Sequence, residues 1–211
     1  MSRHLSKTLL ISHKKKFIFI HNYKVGGTSI RKVLSLYQSE IYRYLSNLLW
    51  FAFPFLRDKT RWSLSKHCSL MEIEKVFGEK LNEFELFGFV RNPWDYEVSK
   101  YEYMKQNKKH FQHSLIKNMT FEEYLEWRKD NYKTQLAFFQ SENNFNCKVF
   151  KIEDASIIEN YLEKIVYKKV QLPKINTTVR NKYADYYKNE RSIKIVSDIY
   201  KEEIIAYNYE F

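Results

Sequence analysis

Lys24-Val25-Gly26-Gly27-Thr28-Ser29 is the segment of this chain best suited to chemistry. Two adjacent glycines let a backbone approach a ligand with no Cβ in the way. Thr28 and Ser29 put hydroxyls at the start of a predicted helix, where unpaired N–H groups and the helix dipole favour an anion. Lys24 adds a full positive charge. The types and order describe a cradle for a phosphate or sulfate. They do not describe a Walker A loop, whose lysine follows the last glycine.

A second set lies in Val90-Arg91-Asn92-Pro93-Trp94-Asp95-Tyr96-Glu97-Val98-Ser99. Arg91 leaves the end of an apolar run, and Ser99 falls two helical turns later. An arginine fork and a hydroxyl together suit a phosphate. The plainer reading pairs Arg91 with Asp95 and leaves Ser99 on an ordinary helix surface.

These segments need elements to hold them. The apolar run 17–21 reads as a strand, and 27–38 as a helix with Ile30, Val33, Leu34 and Tyr37 on one face. Helical spacing recurs over 69–78. Residues 84–90 form a second buried strand, and Pro93 opens a helix running to about Asn107. Thr120 and Glu123 form a capping box for a helix over 120–129. A third strand covers 147–152. Helices follow over about 154–167 and 189–206. Strands alternating with helices predict an α/β fold with a central parallel sheet flanked by helices in three layers. In such sheets ligands sit at the carboxyl ends of strands, where the glycine loop falls.

Composition narrows the partner. The chain has 211 residues and a net charge of +11, which favours an anionic ligand, an acidic glycan, nucleic acid or a membrane surface. No segment resembles a nucleic-acid motif. Only four glycines occur, so placing two side by side at 26 and 27 is informative. Cys68 and Cys147 make neither a disulfide framework nor metal-ligand spacing, so no metal is expected and a reducing compartment, the cytoplasm, is. Residues 1–16 read as a basic extension with one short apolar piece, Leu9-Leu10-Ile11, and no signal-peptide core. The run Leu48 to Leu56 is too short to cross a bilayer. It reads as core or a subunit contact, with a lid over the acceptor or a membrane-resting patch across 48–61 as the sharper alternatives.

The pattern strand-Arg91-Asn92-Pro93-Trp94-Asp95-x-x-Val98-Ser99-x-Tyr101, with the loop Lys24 to Ser29 behind Phe19-Ile20-His21, resembles the carbohydrate sulfotransferases that use 3′-phosphoadenosine 5′-phosphosulfate (PAPS). The likeness runs from about 17 to 211 and is weakest over 39–64, the expected acceptor or lid region. Tyr23 stands where the family usually has Pro. The resemblance implies one sulfotransferase domain over 1–211 with a P-loop-like fold. It implies a 5′-phosphosulfate held by Lys24, Gly26, Gly27, Thr28 and Ser29, and a 3′-phosphate held by Arg91 and Ser99. Leu172 to Arg180 resembles a loop closing near the cofactor, which adds Lys174, Thr178 and Arg180. Glu153 matches an acidic residue at a strand end.

Lys66-His67-Cys68-Ser69 matches the family's histidine ahead of a helix, so His67 becomes the candidate general base. An imidazole with an unperturbed pKa of about 6.5 suits that role. His21 is its rival and reads as structural. His110 and His113 fall in a polar stretch and are expected to see solvent. The implied reaction is sulfuryl transfer from PAPS to a hydroxyl of a carbohydrate or glycolipid, without nucleic acid. A nucleotide-dependent phosphotransferase and an inactive basic module binding anionic glycans are the competing readings.

Overall fold

The computed structural model describes residues 9–38, 64–173 and 180–211. The run 48–61, Lys174 and Thr178 lie outside these residues. The described residues fall into two compact units, one drawn from 9–89 with 137–173, the other from 90–136 with 180–211.

The first unit is built on a sheet of four strands: β1 (Leu10–Ser12), β2 (Phe17–Ile20), β3 (Glu85–Val90) and β4 (Cys147–Lys151), in that spatial order. β2 and β3 are parallel, with Ile20 opposite Gly88. β2 is fully buried, as a strand covered on both faces must be. Its alternation sorts the core. Ile18 and Ile20 join Leu86 and the helix α2 (Leu70–Phe77) through Leu70 and Ile73. Phe17 and Phe19 pack on Phe87, and Phe87 in turn meets Tyr161 of the helix Ala155–Val166. Gly88 has no room for a side chain: a Cβ there would lie 2.2 Å from the Phe139 ring.

The expected basic extension is corrected in one respect. Leu10 to Ser12 forms β1, an antiparallel edge strand that is buried throughout, so the sheet is mostly rather than wholly parallel. Lys16 takes a positive φ of 51° in the turn that reverses the chain into β2. Helix α1 (Gly27–Leu34) follows β2 and buries Ile30 and Leu34.

The second unit is helical: α3 (Pro93–Gln106), α4 (His113–Ile116), α5 (Phe121–Arg128), then, after α6 (Ala155–Val166) of the first unit, α7 (Glu190–Ile199) and α8 (Lys201–Tyr207). The capping box of Thr120 and Glu123 opens α5 as expected. The expected helix over 189–206 is instead two helices meeting at Tyr200, whose φ of −111° and ψ of 26° break the run. Tyr200 is buried, and its hydroxyl donates to Glu97. Glu97 is fully buried at the centre of this unit and also receives Tyr124 at 2.5 Å and Arg128 Nη2 at 3.0 Å. Burial pushes its carboxyl up, but the charges of Lys100 and Arg128 override this and hold it at about 2.

Candidate functional site

In the first unit the site begins where β2 ends. Lys24 has a φ of 54° and Gly26 a φ of 67°, and Val25 between them does not share the left-handed region. The left-handed residues turn the chain from β2 into α1, whose first N–H groups form the end of a helix that favours an anion. Gly26 is the N-cap of α1 in the left-handed conformation; no side chain caps this helix and its first turn carries no acid. Gly26, Thr28 and Ser29 are reachable from solvent, and Lys24 is half-buried beside them.

The two glycines serve different ends. Gly26 supplies the positive φ, and a Cβ there would press to 3.2 Å on Ile152. Gly27 is required by packing: a Cβ would lie 1.8 Å from Nε2 of His21. The His21 ring therefore fills the space beneath the loop, which sequence reasoning had attributed to ligand approach. His21 is buried, and its Nδ1 has no hydrogen-bond partner. Burial lowers its pKa to about 2, helped by His67, Arg31 and Lys66, so it stays neutral. This agrees with a structural His21.

His67 comes to the loop from the segment before α2. Its ring stacks on Tyr23 at 4.0 Å and meets His21 at 4.5 Å. Nδ1 lies 2.8 Å from the carbonyl oxygen of His21. A carbonyl only accepts, so Nδ1 carries the proton and Nε2 presents a lone pair. Ser69, two residues on, caps α2 in a box with Glu72 and fixes where this segment turns. The unperturbed imidazole pKa expected at His67 is corrected downward. Burial lowers it to about 4, Lys66 and Arg31 add to this, and the bond to His21 opposes it. Cys68 is buried with its thiol pushed up to about 12, which removes it as a nucleophile.

In the second unit Arg91 follows the end of β3. Its Nε and Nη2 donate to Oδ2 of Asp95 at 2.6 and 2.5 Å. Arg180 donates to Oδ1 of the same carboxylate, and its Nη1 is buried without a hydrogen-bond partner. Two guanidinium groups thus share one carboxylate, and the trio keeps a net positive charge. Asn92 caps α3 through Trp94 N–H at 3.1 Å and Asp95 N–H at 3.3 Å, with Pro93 in the first turn. Ser99 is buried one turn beyond Asp95 on the same helix. The Arg91–Asp95 pair is the one the plainer reading of the sequence expects, set aside there in favour of a phosphate; Arg180 on the same carboxylate is not foreseen by either reading.

It also missed Gln135. This buried side chain accepts from Arg91 N–H at 2.9 Å and donates to Arg91 C=O at 2.8 Å. The Gln135 backbone N–H donates to Oε1 of Glu203 at 2.9 Å. Gln135 and Glu203 thus fix the backbone from which the Arg91 fork projects. A lone Gln in a polar stretch carries no pattern that would reveal this.

Glu153 is exposed. His110 and His113 are half-buried rather than open to solvent, and His113 Nδ1 is bonded to Met104 C=O at 3.1 Å. No group of three or more His, Cys, Asp or Glu side chains placed to hold a metal occurs among the described residues, and none of their helices is long and apolar enough to cross a membrane. No family model, no curated protein and no solved structure matches the chain.

Proposed function

We propose that the chain is a PAPS-dependent sulfotransferase acting on a hydroxyl of a carbohydrate or glycolipid. The observation that carries this reading is the loop after β2. Left-handed backbone at Lys24 and Gly26 leads into a helix N-terminus free of side-chain caps, and the His67 ring stacks on Tyr23 of that same loop. A donor set of lysine, backbone N–H groups and hydroxyls fits a phosphosulfate. The resemblance of the Arg91 to Tyr101 segment to the sulfotransferase pattern supports the same reading.

When bound, PAPS supplies an activated sulfuryl group. Lys24 neutralises negative charge at its 5′ end. The first N–H groups of α1, with Thr28 and Ser29, hold the 5′-phosphate. Arg91 and Ser99 hold the 3′-phosphate, which ATP lacks, and Lys174, Thr178 and Arg180 complete the cofactor set. His67 takes the acceptor proton on Nε2. The fold that goes with this reading is a three-layer P-loop-like one. The setting is the cytoplasm, in keeping with free thiols at Cys68 and Cys147.

Transfer of labelled sulfate from PAPS to polysaccharide or glycolipid tests the proposal. Transfer that is lost in Lys24→Ala supports it. Magnesium-dependent turnover of ATP without sulfate transfer would replace it with a phosphotransferase.

A further inference from the structure

The corner between α3 and α5 presents an apolar tip ringed by positive charge. Phe111 is 86% exposed and Leu115 47% exposed. Lys108, Lys109 and Lys117 are exposed around them, and no Asp or Glu occurs between Glu102 and Glu122. The corner is firmly built. His110 N–H donates to Asn107 C=O at 2.8 Å and His113 N–H to His110 C=O at 2.9 Å. His113 Nδ1 donates to Met104 C=O, and Ile116 is fully buried. The Phe111 ring stacks on His110 at 4.7 Å, and His110 meets Tyr103 edge-on at 5.5 Å. An aromatic ring is thus held out into water by an ordered scaffold.

We propose that this corner docks the protein on an anionic membrane surface, with Phe111 and Leu115 entering the headgroup boundary and the lysines meeting lipid phosphates. The charge is complementary: three exposed lysines in a stretch with no acidic residue from Tyr103 to Phe121 attract an anionic leaflet, each strengthening binding about fivefold. A projecting side chain needs no shaped pocket when its partner is fluid, and an aromatic flanked by lysines is the composition that lies at such an interface. The inference stands apart from the sulfotransferase reading, because none of these residues belongs to the proposed cofactor or catalytic set.

The test is sedimentation of the full chain with vesicles of phosphatidylcholine alone or mixed with phosphatidylserine. Binding is expected to the mixed vesicles and not to phosphatidylcholine alone. Phe111→Ala should weaken it about tenfold, Phe111→Trp should retain it, and Lys108→Glu with Lys109→Glu should abolish it. All these positions are exposed, so unchanged melting temperatures are expected to accompany the losses. Absence of binding to both vesicle types overturns the proposal. So does full binding by both the Phe111→Ala and the double lysine variants, which would put any membrane contact elsewhere in the chain. Retention on heparin without vesicle binding also overturns it, in favour of an anionic polysaccharide.

Discussion

His67 donates from Nδ1 to the carbonyl oxygen of His21 at 2.8 Å, and this one bond leaves Nε2 as the ring nitrogen able to take a proton. Nε2 is the acceptor, and the same bond fixes the ring where it stacks on Tyr23.

A pH profile follows directly. With its pKa lowered to about 4 by burial, His67 is already unprotonated at neutral pH. The kcat/KM for sulfate transfer should rise with pH through about 4 and level off well below pH 6.5. His67→Ala should lower the rate roughly 10²–10⁴-fold and remove that limb. A limb centred near 6.5, or one that survives the substitution, assigns the base elsewhere.

Folding stability should respond to acid through the same pair. His21 and His67 both have pKa values depressed on folding, from 6.5 to about 2 and about 4. Their unfolded forms take up protons as pH falls below 6.5 while the folded forms stay neutral. Their contribution to stability is therefore complete above pH 6.5 and is lost progressively toward pH 4, with His21 continuing the loss below that. Melting temperatures measured from pH 7.5 down to 4 check it, and a protein that became more stable on acidification would contradict it.

The contact between Gly27 and the His21 ring should appear as an energetic coupling. Gly27→Ala forces a Cβ into that ring and should cost roughly 1–3 kcal/mol. In a His21→Ala background the same change should cost clearly less, because the space is vacant. Equal costs in the two backgrounds, read by urea unfolding, would show that the ring does not occupy this position.

Much of the frame was legible from periodicity: β2, β3 and β4, the Pro93 start of α3 and the Thr120 capping box all lie where spacing and caps put them. What escaped reading depended on contacts distant in sequence. Leu10 to Ser12 is too short and too close to lysines to announce a strand, and it is one only because β2 offers it an edge. Tyr200 interrupts a continuous helical pattern, and its hydroxyl donates to Glu97, 103 residues away, a pairing no local spacing announces. Within the candidate site, the charge and glycine positions could be read from the sequence. The packing of His21 under Gly27, the Arg180–Asp95 contact and the Gln135 clamp on Arg91 could not, since each is a meeting of single residues without a motif.

The buried Glu97 cluster should dominate the stability of the helical unit. Arg128→Ala removes the ion-pair partner 3.0 Å from the fully buried Glu97 and leaves only Lys100 to balance that charge, so it should cost roughly 3–5 kcal/mol. Lys129→Ala, on a solvent-screened surface pair with Glu126, should cost far less. Chemical denaturation of the two variants side by side makes the comparison, and similar small losses in both would contradict it.

Isothermal titration with adenosine 3′,5′-bisphosphate, AMP and ATP tests the proposed recognition of a nucleotide by its 3′-phosphate. Micromolar binding of the bisphosphate is expected, with much weaker binding of AMP and ATP and loss of that preference in Arg91→Ala. No binding of the bisphosphate, or equal binding of ATP, would contradict it.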